Sequence, residues 1–146
     1  MRVSAKAEYA CRAVLELTRY HDKAEVIHIS DIAVRQSIPE KYLVQILLQL
    51  QRAGLVRSKR GATGGYSLAR APGEISLGDV IRAMDGALIS VESLSGDAEI
   101  TDQLSGQHVL KDVWMGVQEK LGDIMDGITF EDISRQAQKN LSMYYI

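Results

Sequence analysis

The sequence predicts a mainly α-helical fold with one small β-hairpin and a long helix near the C-terminus. Several segments repeat apolar residues at helical spacing, one glycine-rich stretch is flanked by short strand-like segments, and a late segment has heptad spacing. The 146 residues suffice for one ordinary domain with a helical appendage. An apolar content of 46% and a charged content of 25% exclude a disordered, collagenous or membrane chain.

Charge is distributed unevenly along the chain. Residues 1–70 carry 12 Lys and Arg against 6 Asp and Glu, whereas residues 71–146 carry 5 against 13. This asymmetry predicts a basic half that meets a polyanion. The alternative is that the charges fell unevenly on solvated surface.

Cysteine content and the N-terminus limit the chemistry and the location. Cys11 is the only cysteine, which excludes an internal disulfide framework and a multi-cysteine zinc site. It falls on the apolar face of the first helix, where we expect a small buried hydrophobe rather than a reactive thiol. No stretch reaches the ~18 apolar residues of a spanning helix, and residues 1–6 lack a signal-peptide apolar stretch. We therefore expect a cytoplasmic protein without a membrane partner.

The first half of the chain predicts three helices. Ser4 can cap the first, and Ser30 is the predicted N-cap of a short second helix. The break at residues 38–39 leads into a third helix over residues 40–53. Residues 26–29 fit either a short strand or the approach to the second helix. Two helices joined by a few residues are typical of a helix-turn-helix.

A basic hairpin follows the third helix. Residues 55–60 and 66–70 are predicted strands, joined by the glycine-rich residues 61–65. The first strand places three cations beside this loop: Arg57, Lys59 and Arg60. A basic hairpin directly after a helix-turn-helix is a wing, so we expect phosphate contacts and a tip side chain in the minor groove. A nucleotide-phosphate loop is disfavoured because no Gly-Lys-Ser/Thr ending and no helix follow the glycines.

The second half predicts a capped helix, a loop and two further helices. Residues 76–79 form a capping box, and residues 87–106 are expected to be a surface loop. From Gln107 to Gly127, apolar residues recur at alternating spacings of three and four, which is typical of a helix that packs on another helix. These residues are Leu110, Trp114, Val117, Leu121, Ile124 and Ile128. A second capping box at residues 129–132 opens a last, short helix.

Motifs along nearly the whole chain match one family: residues 42–47, 53–56, 60–68 and 75–81, then Trp114 and residues 128–133. On these motifs, with the wing motif from Arg60 to Tyr66 as the most specific, the sequence resembles the Rrf2 family of bacterial transcription regulators. That family includes an iron–sulfur cluster regulator and a cysteine-metabolism repressor. The resemblance implies a winged helix-turn-helix with a long C-terminal dimerisation helix, and a sequence-specific DNA-binding homodimer on a palindromic operator.

The resemblance also implies which residues contact DNA and which join the subunits. The recognition helix would use Glu40, Lys41, Tyr42 and Gln45, and the wing would use Arg57, Ser58, Lys59, Arg60 and Gly65. The six heptad residues from Leu110 to Ile128 would form the dimer seam. Residues 1–86 would be the DNA-binding domain, 87–106 an effector or cluster-type loop, and 107–146 the dimerisation helix and tail. Val44 stands where several cluster-sensing relatives have glutamate, which favours a different operator.

The loop departs from the cluster-binding relatives, which carry three cysteines there. This chain has none in the loop, so we expect no cofactor for the sequence as it stands. One hypothesis is that cysteines of a cluster site were replaced and that its vestiges remain: Ser93, Ser95, Ser105, His108 and Glu8. A [2Fe–2S] cluster would then bind only if loop cysteines were restored. The alternative is that small polar residues simply suit a loop.

Two regulatory functions follow from the resemblance. The first is control of iron–sulfur cluster biogenesis genes in a cluster-free form. The alternative is a cluster-free regulator of cysteine and sulfur metabolism that acts with cysteine synthase, because the apolar ending at residues 144–146 resembles that of the cysteine-metabolism repressor. That tail could instead pack on its own dimer.

Two other classes of protein compete with a DNA-binding regulator. An enzyme is disfavoured because no motif pairs a nucleophile with a base and the three histidines, His21, His28 and His108, are scattered. A protein-interaction module that has lost DNA binding is the other class.

Overall fold

A computed structural model describes residues 1–94 and 106–144 of the chain. The helices in this part are α1 (Ala5–Thr18), α2 (Ile29–Gln36), α3 (Glu40–Arg52), α4 (Leu77–Asp85), α5 (Gln107–Asp126) and α6 (Phe130–Tyr144). Strands β1 (Val56–Lys59) and β2 (Gly65–Leu68) pair antiparallel, with Val56 opposite Leu68 and Lys59 opposite Gly65. Single 3-10 turns occupy Pro72–Glu74 and Glu92–Leu94. The predicted mainly α-helical fold with one hairpin is confirmed. Strand β1 is one residue shorter than expected at each end, and β2 begins one residue earlier and ends two residues earlier than expected.

Helix α1 forms the centre of the core and contacts α2, α3, α4 and α6. The Ser4 hydroxyl accepts a hydrogen bond from the Ala7 N–H at 3.0 Å, which confirms the predicted cap. Small residues on the inner face of α1 (Ala7, Ala10 and Ala13) are fully buried and leave room for close packing of the neighbouring helices. The main core is completed by larger side chains, among them Leu17, Ile32, Leu43, Ile46, Leu47, Leu50, Val80 and Phe130.

The start of α2 differs from the prediction. Ser30 was expected as the N-cap, but α2 begins at Ile29 and His28 takes the N-cap position without a side-chain capping bond. The reason lies in the preceding residue: Ile27 forms a β-bridge with Tyr66 through two backbone hydrogen bonds of 2.9 and 2.8 Å. This bridge holds the chain extended up to His28, so the helix begins directly after it. Residues 26–29 thus combine a one-residue strand pairing with the approach to α2.

The last helix is much longer than the short helix that the sequence predicted. The Thr129–Asp132 capping box opens it, with bonds of 3.1 and 3.2 Å, as expected. Phe130 anchors its first turn in the core, and α6 then runs for 15 residues to Tyr144. The apolar residues from Leu141 onward, which were interpreted as a tail, continue the helix as far as Tyr144. Tyr145 and Ile146 lie outside the described residues.

The junction of α5 and α6 is joined to the segment that precedes α4. The Leu77 N–H donates to the Ile128 carbonyl at 2.8 Å, and the Phe130 N–H donates to the Ile75 carbonyl at 3.0 Å. The predicted capping box of α4, formed by Ser76 and Asp79, is confirmed. These bonds connect the end of the long helix to the body that carries α3 and the hairpin.

No helix within residues 1–94 and 106–144 is both long enough and apolar enough to cross a membrane.

Candidate DNA-binding interface

Helix α3 is held with one face in the core and the other open. Its inner stripe consists of Leu43, Ile46, Leu47 and Leu50, all fully buried. Ser37, in the left-handed conformation with φ of 53°, ends α2, and the buried Ile38 turns the chain toward Pro39 at the N-cap of α3. The turn therefore leaves the opposite face of α3 accessible, and Glu40, Lys41 and Gln45 are exposed there.

Tyr42 has a packing role in addition to its predicted place at the interface. Its half-buried ring meets the Tyr9 ring edge-on, with centroids 5.7 Å apart and planes at 86°. The guanidinium of Arg12 lies 5.4 Å from the Tyr9 ring centroid. Tyr42 thus anchors the first turn of α3 to α1. It is less accessible than the other predicted DNA contacts of this helix, Glu40, Lys41 and Gln45.

The hairpin places two of its cations freely at the surface. Lys59 and Arg60 are exposed where β1 leads into the loop. Arg57 is engaged differently, because its Nη2 donates to the Ala69 carbonyl at 3.0 Å beyond the end of β2. This bond ties the two ends of the hairpin together. Lys59 and Arg60 are therefore better placed than Arg57 to reach a phosphate.

Ser58 connects the hairpin to α3. Its hydroxyl accepts a hydrogen bond from Gln51 Nε2 at 3.1 Å. This contact joins the last turn of α3 to the middle of β1, so the helix and the hairpin keep a defined mutual orientation. The family resemblance implied Ser58 as a contact residue, but nothing in the sequence pointed to Gln51.

Gly65 has a structural reason to be glycine. It is the first residue of β2, beside the Ile27–Tyr66 bridge, and a Cβ atom there would lie 2.5 Å from the Ile27 carbonyl oxygen. Any larger residue would push the hairpin away from the chain that leads into α2. This constraint concerns the side of Gly65 that faces Ile27, so it is compatible with the predicted place of Gly65 at the DNA interface.

A buried carboxylate that sequence reasoning missed connects α1 to α2. Glu16 is fully buried, and its two oxygens accept hydrogen bonds from Arg35 at 3.0 Å, Gln36 at 2.8 Å and Arg19 at 3.4 Å. Arg35 also donates to the Tyr20 hydroxyl and lies 5.3 Å from its ring centroid. The hydrogen bond that Arg35 donates to the Glu16 carboxylate raises the pKa of Arg35. The only sequence signal was the i, i+3 spacing of Glu16 and Arg19, which is common on exposed helices.

The long helix exposes most of the predicted heptad residues. Leu110, Trp114, Val117 and Ile124 are exposed, together with the neighbouring Val109 and Val113. Trp114 is 41% exposed, an unusual fraction for a large aromatic ring in a folded protein. Leu121 is half-buried and packs on a small cluster of the same chain, formed by Ile81, Leu88 and Met125. Ile128 is half-buried at the junction with α6.

The hypothesised cluster residues are not brought together by the described structure. Ser95 and Ser105 lie outside the described residues, and Ser93 lies in the Glu92–Leu94 turn. Glu8 forms an exposed ion pair of 2.7 Å with Arg12 on α1, and His108 is exposed in the first turn of α5.

The donor chemistry does not fit a thiolate-ligated [2Fe–2S] cluster. Such clusters need several thiolates, and the sequence contains one cysteine. Burial raises the pKa of Cys11 to about 11, so its thiol is protonated at neutral pH and is a poor ligand. Residues 1–94 and 106–144 bring together no three His, Cys, Asp or Glu side chains that could hold a metal ion.

The helix pair followed by a hairpin is matched by a known family. The model of the Rrf2 family, described as an iron-dependent transcriptional regulator, matches residues 3–136. The chain belongs to the Rrf2 family. An HTH-type transcriptional regulator of Mycobacterium tuberculosis is 40% identical to it over 135 residues, which cover 92% of this chain and 81% of that protein. CymR of Bacillus subtilis, described as its global cysteine regulator, is 30% identical over 148 residues and 100% of both chains.

A solved Rrf2 structure supports the fold. The structure of IscR from T. potens has a TM-score of 0.73, is 34% identical, and covers 96% of this chain and 90% of its own. The predicted winged helix fold is thereby confirmed: α2 and α3 form the helix-turn-helix, and β1 and β2 form the wing. The protein is a transcriptional regulator and not an enzyme, as the sequence predicted.

Proposed function

We propose that this Rrf2 protein acts in the cytoplasm as a homodimer that binds a palindromic operator in double-stranded DNA, with one half-site for each subunit. The observation that carries the proposal is the joint presentation of α3 and the wing. The exposed face of α3 and the cations Lys59 and Arg60 belong to elements that the Gln51–Ser58 hydrogen bond connects at 3.1 Å. A helix with a polar open face beside a basic hairpin suits a major groove and its flanking phosphates.

The proposed contacts divide by role. Glu40, Lys41 and Gln45 are exposed on α3 and are proposed to face base edges, with Tyr42 contributing from the anchored first turn. Lys59 and Arg60 are proposed to bind phosphates or a groove, and the Gly65 backbone allows close approach of the DNA. Arg57 and Ser58 keep a place at this surface, and their bonds to Ala69 and Gln51 make them mainly supports of the wing.

The proposed dimer uses the exposed apolar face of α5. An aliphatic and aromatic stripe of this length is costly to leave in water and is typical of a subunit interface. Leu110, Trp114, Val117 and Ile124 would supply its exposed part, and Leu121 and Ile128 would border it. Residues 1–86 would then bind DNA, residues 107–146 would join the subunits, and residues 87–106 would form the loop between them.

Two groups of target genes are proposed, from the number of cysteines available to ligate a cluster and from the similarity to IscR and CymR. One cysteine in the chain supports a regulator that works without a [2Fe–2S] cluster. The likeness to the T. potens IscR structure favours iron–sulfur cluster biogenesis genes as targets of such a cluster-free form. The match to CymR over the full length of both chains favours the second candidate, control of cysteine and sulfur metabolism.

The second candidate includes a protein partner. Cysteine synthase would bind the C-terminal segment, where Leu141, Met143 and Tyr144 are exposed in the last turn of α6. Calorimetry with a peptide of the last ten residues tests this partner. Heat of binding to cysteine synthase supports the sulfur-metabolism candidate, and no heat at high micromolar peptide contradicts the partner.

Selection of DNA by the purified protein tests the proposed function. A random duplex library should yield an inverted repeat whose half-sites are about one or two helical turns apart, because paired subunits read related half-sites. The enriched sequence, located in a bacterial genome upstream of cluster or cysteine genes, decides between the two candidates. No enrichment, or enrichment of a motif without two-fold symmetry, contradicts the homodimer on a palindrome.

A further inference from the structure

Two aliphatic side chains lie on the open face of α3. Val44 is 48% exposed and Leu48 is 45% exposed, whereas the core-facing aliphatic residues of the same helix are fully buried. The two residues are four positions apart, so they are neighbours on one face of the helix. Neither is needed to fill the core, and both remain in water in the isolated protein.

Charged residues, most of them cationic, and polar residues surround this aliphatic pair. Lys41 lies three residues before Val44 and Arg52 lies four residues after Leu48, so both belong to the same exposed face, as does the carboxylate of Glu40 four residues before Val44. Gln45 is exposed beside Val44, and the wing joined to α3 carries Lys59 and Arg60. The four cations Lys41, Arg52, Lys59 and Arg60 outnumber the single carboxylate of Glu40 around this apolar pair, which makes the surface complementary to an anionic partner that has an apolar group between its charges. This charge pattern selects DNA over a second copy or an apolar protein surface as the occupant.

The major groove offers one apolar group that identifies a base. The C5-methyl group of thymine projects into that groove, whereas the other base edges present hydrogen-bond donors and acceptors. Aliphatic side chains make no hydrogen bonds, so their only base-specific contact is with that methyl group. Gln45, at the next position, has the amide that pairs with adenine.

We infer that Val44 and Leu48 are specificity-determining residues that recognise thymine methyl groups in the operator half-site. The inference rests on the proposed function and adds to it the base, thymine, that the open face of α3 recognises. Because both side chains are outside the core, shortening them is expected to change sequence preference without changing the fold.

The experiment replaces thymine by deoxyuridine, which removes the methyl group and leaves base pairing intact. Each thymine of the selected operator is replaced in turn, and affinity is measured for the whole protein and for Val44→Ala and Leu48→Ala. For the unaltered protein, at least one replacement in each half-site should weaken binding about fourfold. This is the change in affinity expected when one methyl-sized group is no longer buried in the interface. The same replacement should have little effect on the variant that lacks the contacting side chain.

Val34→Ala is the matched control, because Val34 is an exposed valine of the neighbouring helix α2. This variant should keep the full response to deoxyuridine. The inference is overturned if the protein binds its operator but the effect of deoxyuridine is the same with and without the Val44 and Leu48 side chains at every thymine. That result leaves the proposed function standing. Failure of the protein to select any DNA sequence rejects the proposed function itself.

Discussion

Arg82 on α4 and Asp126 at the end of α5 form a two-bonded ion pair, with Nη1–Oδ1 of 2.7 Å and Nη2–Oδ2 of 2.9 Å. Gly78 makes room for it, because a Cβ atom there would collide with the Asp126 carboxylate. Together with the backbone bond from Leu77 to Ile128, this pair sets the direction of α5 relative to the body that holds α3. In the proposed dimer, it therefore contributes to the spacing of the two recognition helices.

The first prediction concerns the pH dependence of this pair. The hydrogen bond from Arg82 lowers the pKa of Asp126 below its ordinary value. A carboxylate with a lowered folded-state pKa stabilises the fold above its unfolded pKa of about 3.9, and that stabilisation is lost as the pH falls through the folded-state pKa. Asp126→Asn should lower the free energy of unfolding at pH 7 by at most about 1 kcal/mol, because the pair is half-exposed.

Urea unfolding at pH 7 and at pH 3.5 checks this sign. The difference between Asp126→Asn and the unaltered protein should shrink at the lower pH. Asp123→Asn, an exposed carboxylate one turn earlier on α5, is the control and should change little at either pH. An equal difference at both pH values would contradict the prediction.

The second prediction concerns the buried carboxylate of α1. Glu16→Ala removes the hydrogen bonds that Glu16 accepts from Arg35 and Gln36 of α2 and from Arg19 at the end of α1. It also leaves Gln36 without its acceptor. We expect a loss of about 2 kcal/mol in the free energy of unfolding, because hydrogen bonds to a buried charge are the strong ones. Glu8→Ala on the same helix removes only an exposed ion pair and should cost less than about 0.5 kcal/mol. Equal losses of unfolding free energy for Glu16→Ala and Glu8→Ala, measured by urea unfolding, would show that Glu16 does not stabilise the contact between α1 and α2.

The third prediction concerns the wing. Lys59 is exposed at the loop end of β1, so Lys59→Ala should weaken binding to all duplexes and reduce the salt dependence of log K by about one unit. Lys139→Ala changes an exposed lysine of α6 and should leave both quantities unchanged. Titrations at several salt concentrations measure the slope, and an unchanged slope would place Lys59 away from the phosphates.

The fourth prediction concerns the face of α5. Trp114→Ala removes the largest side chain of the proposed seam and should cost about 3–5 kcal/mol for each site that the dimer buries. We expect monomers in sedimentation equilibrium and loss of operator binding together, because half-sites are read by paired subunits. Met115→Ala is the control and should remain dimeric, because Met115 is an exposed apolar residue that lines a surface groove together with Arg82 and Asp126 instead of belonging to the seam. A Trp114→Ala dimer as stable as the unaltered one would exclude Trp114 from the interface.

The fifth prediction concerns the thiol of Cys11. Its pKa of about 11, raised by burial, leaves very little thiolate at pH 8. Alkylation by iodoacetamide should therefore be slow in the folded protein and should accelerate strongly in concentrated urea. Over pH 8 to 10.5, the rate in the folded protein should rise about tenfold per unit. Equal rates in the folded and unfolded chains would show that the thiol is accessible and its pKa ordinary.

Local sequence signals predicted that each of the six helices is present and which face of α3 is open, but not where α2 begins or how far α6 extends. Two capping boxes, a Pro39 break and heptad spacing depend on residues within a few positions of each other, so their consequences could be predicted without a fold. The exposed positions of α3 followed in the same way, because helical spacing alone separates the buried stripe from Lys41 and Gln45. Where a distant segment intervened, local reasoning failed: the bridge from Ile27 to Tyr66 moved the start of α2.

The sequence by itself therefore determined the class of fold, the basic hairpin and the apolar stripe of α5, while the tertiary structure decided which residues are free to bind. Packing brought Glu16 to Arg35, Gln51 to Ser58 and Arg82 to Asp126. None of these pairs has a distinctive sequence signal, because a glutamate, a glutamine or an arginine on a helix is usually solvated. The physical reason is that burial and hydrogen bonding between separate elements depend on how those elements pack, which no short stretch of sequence encodes.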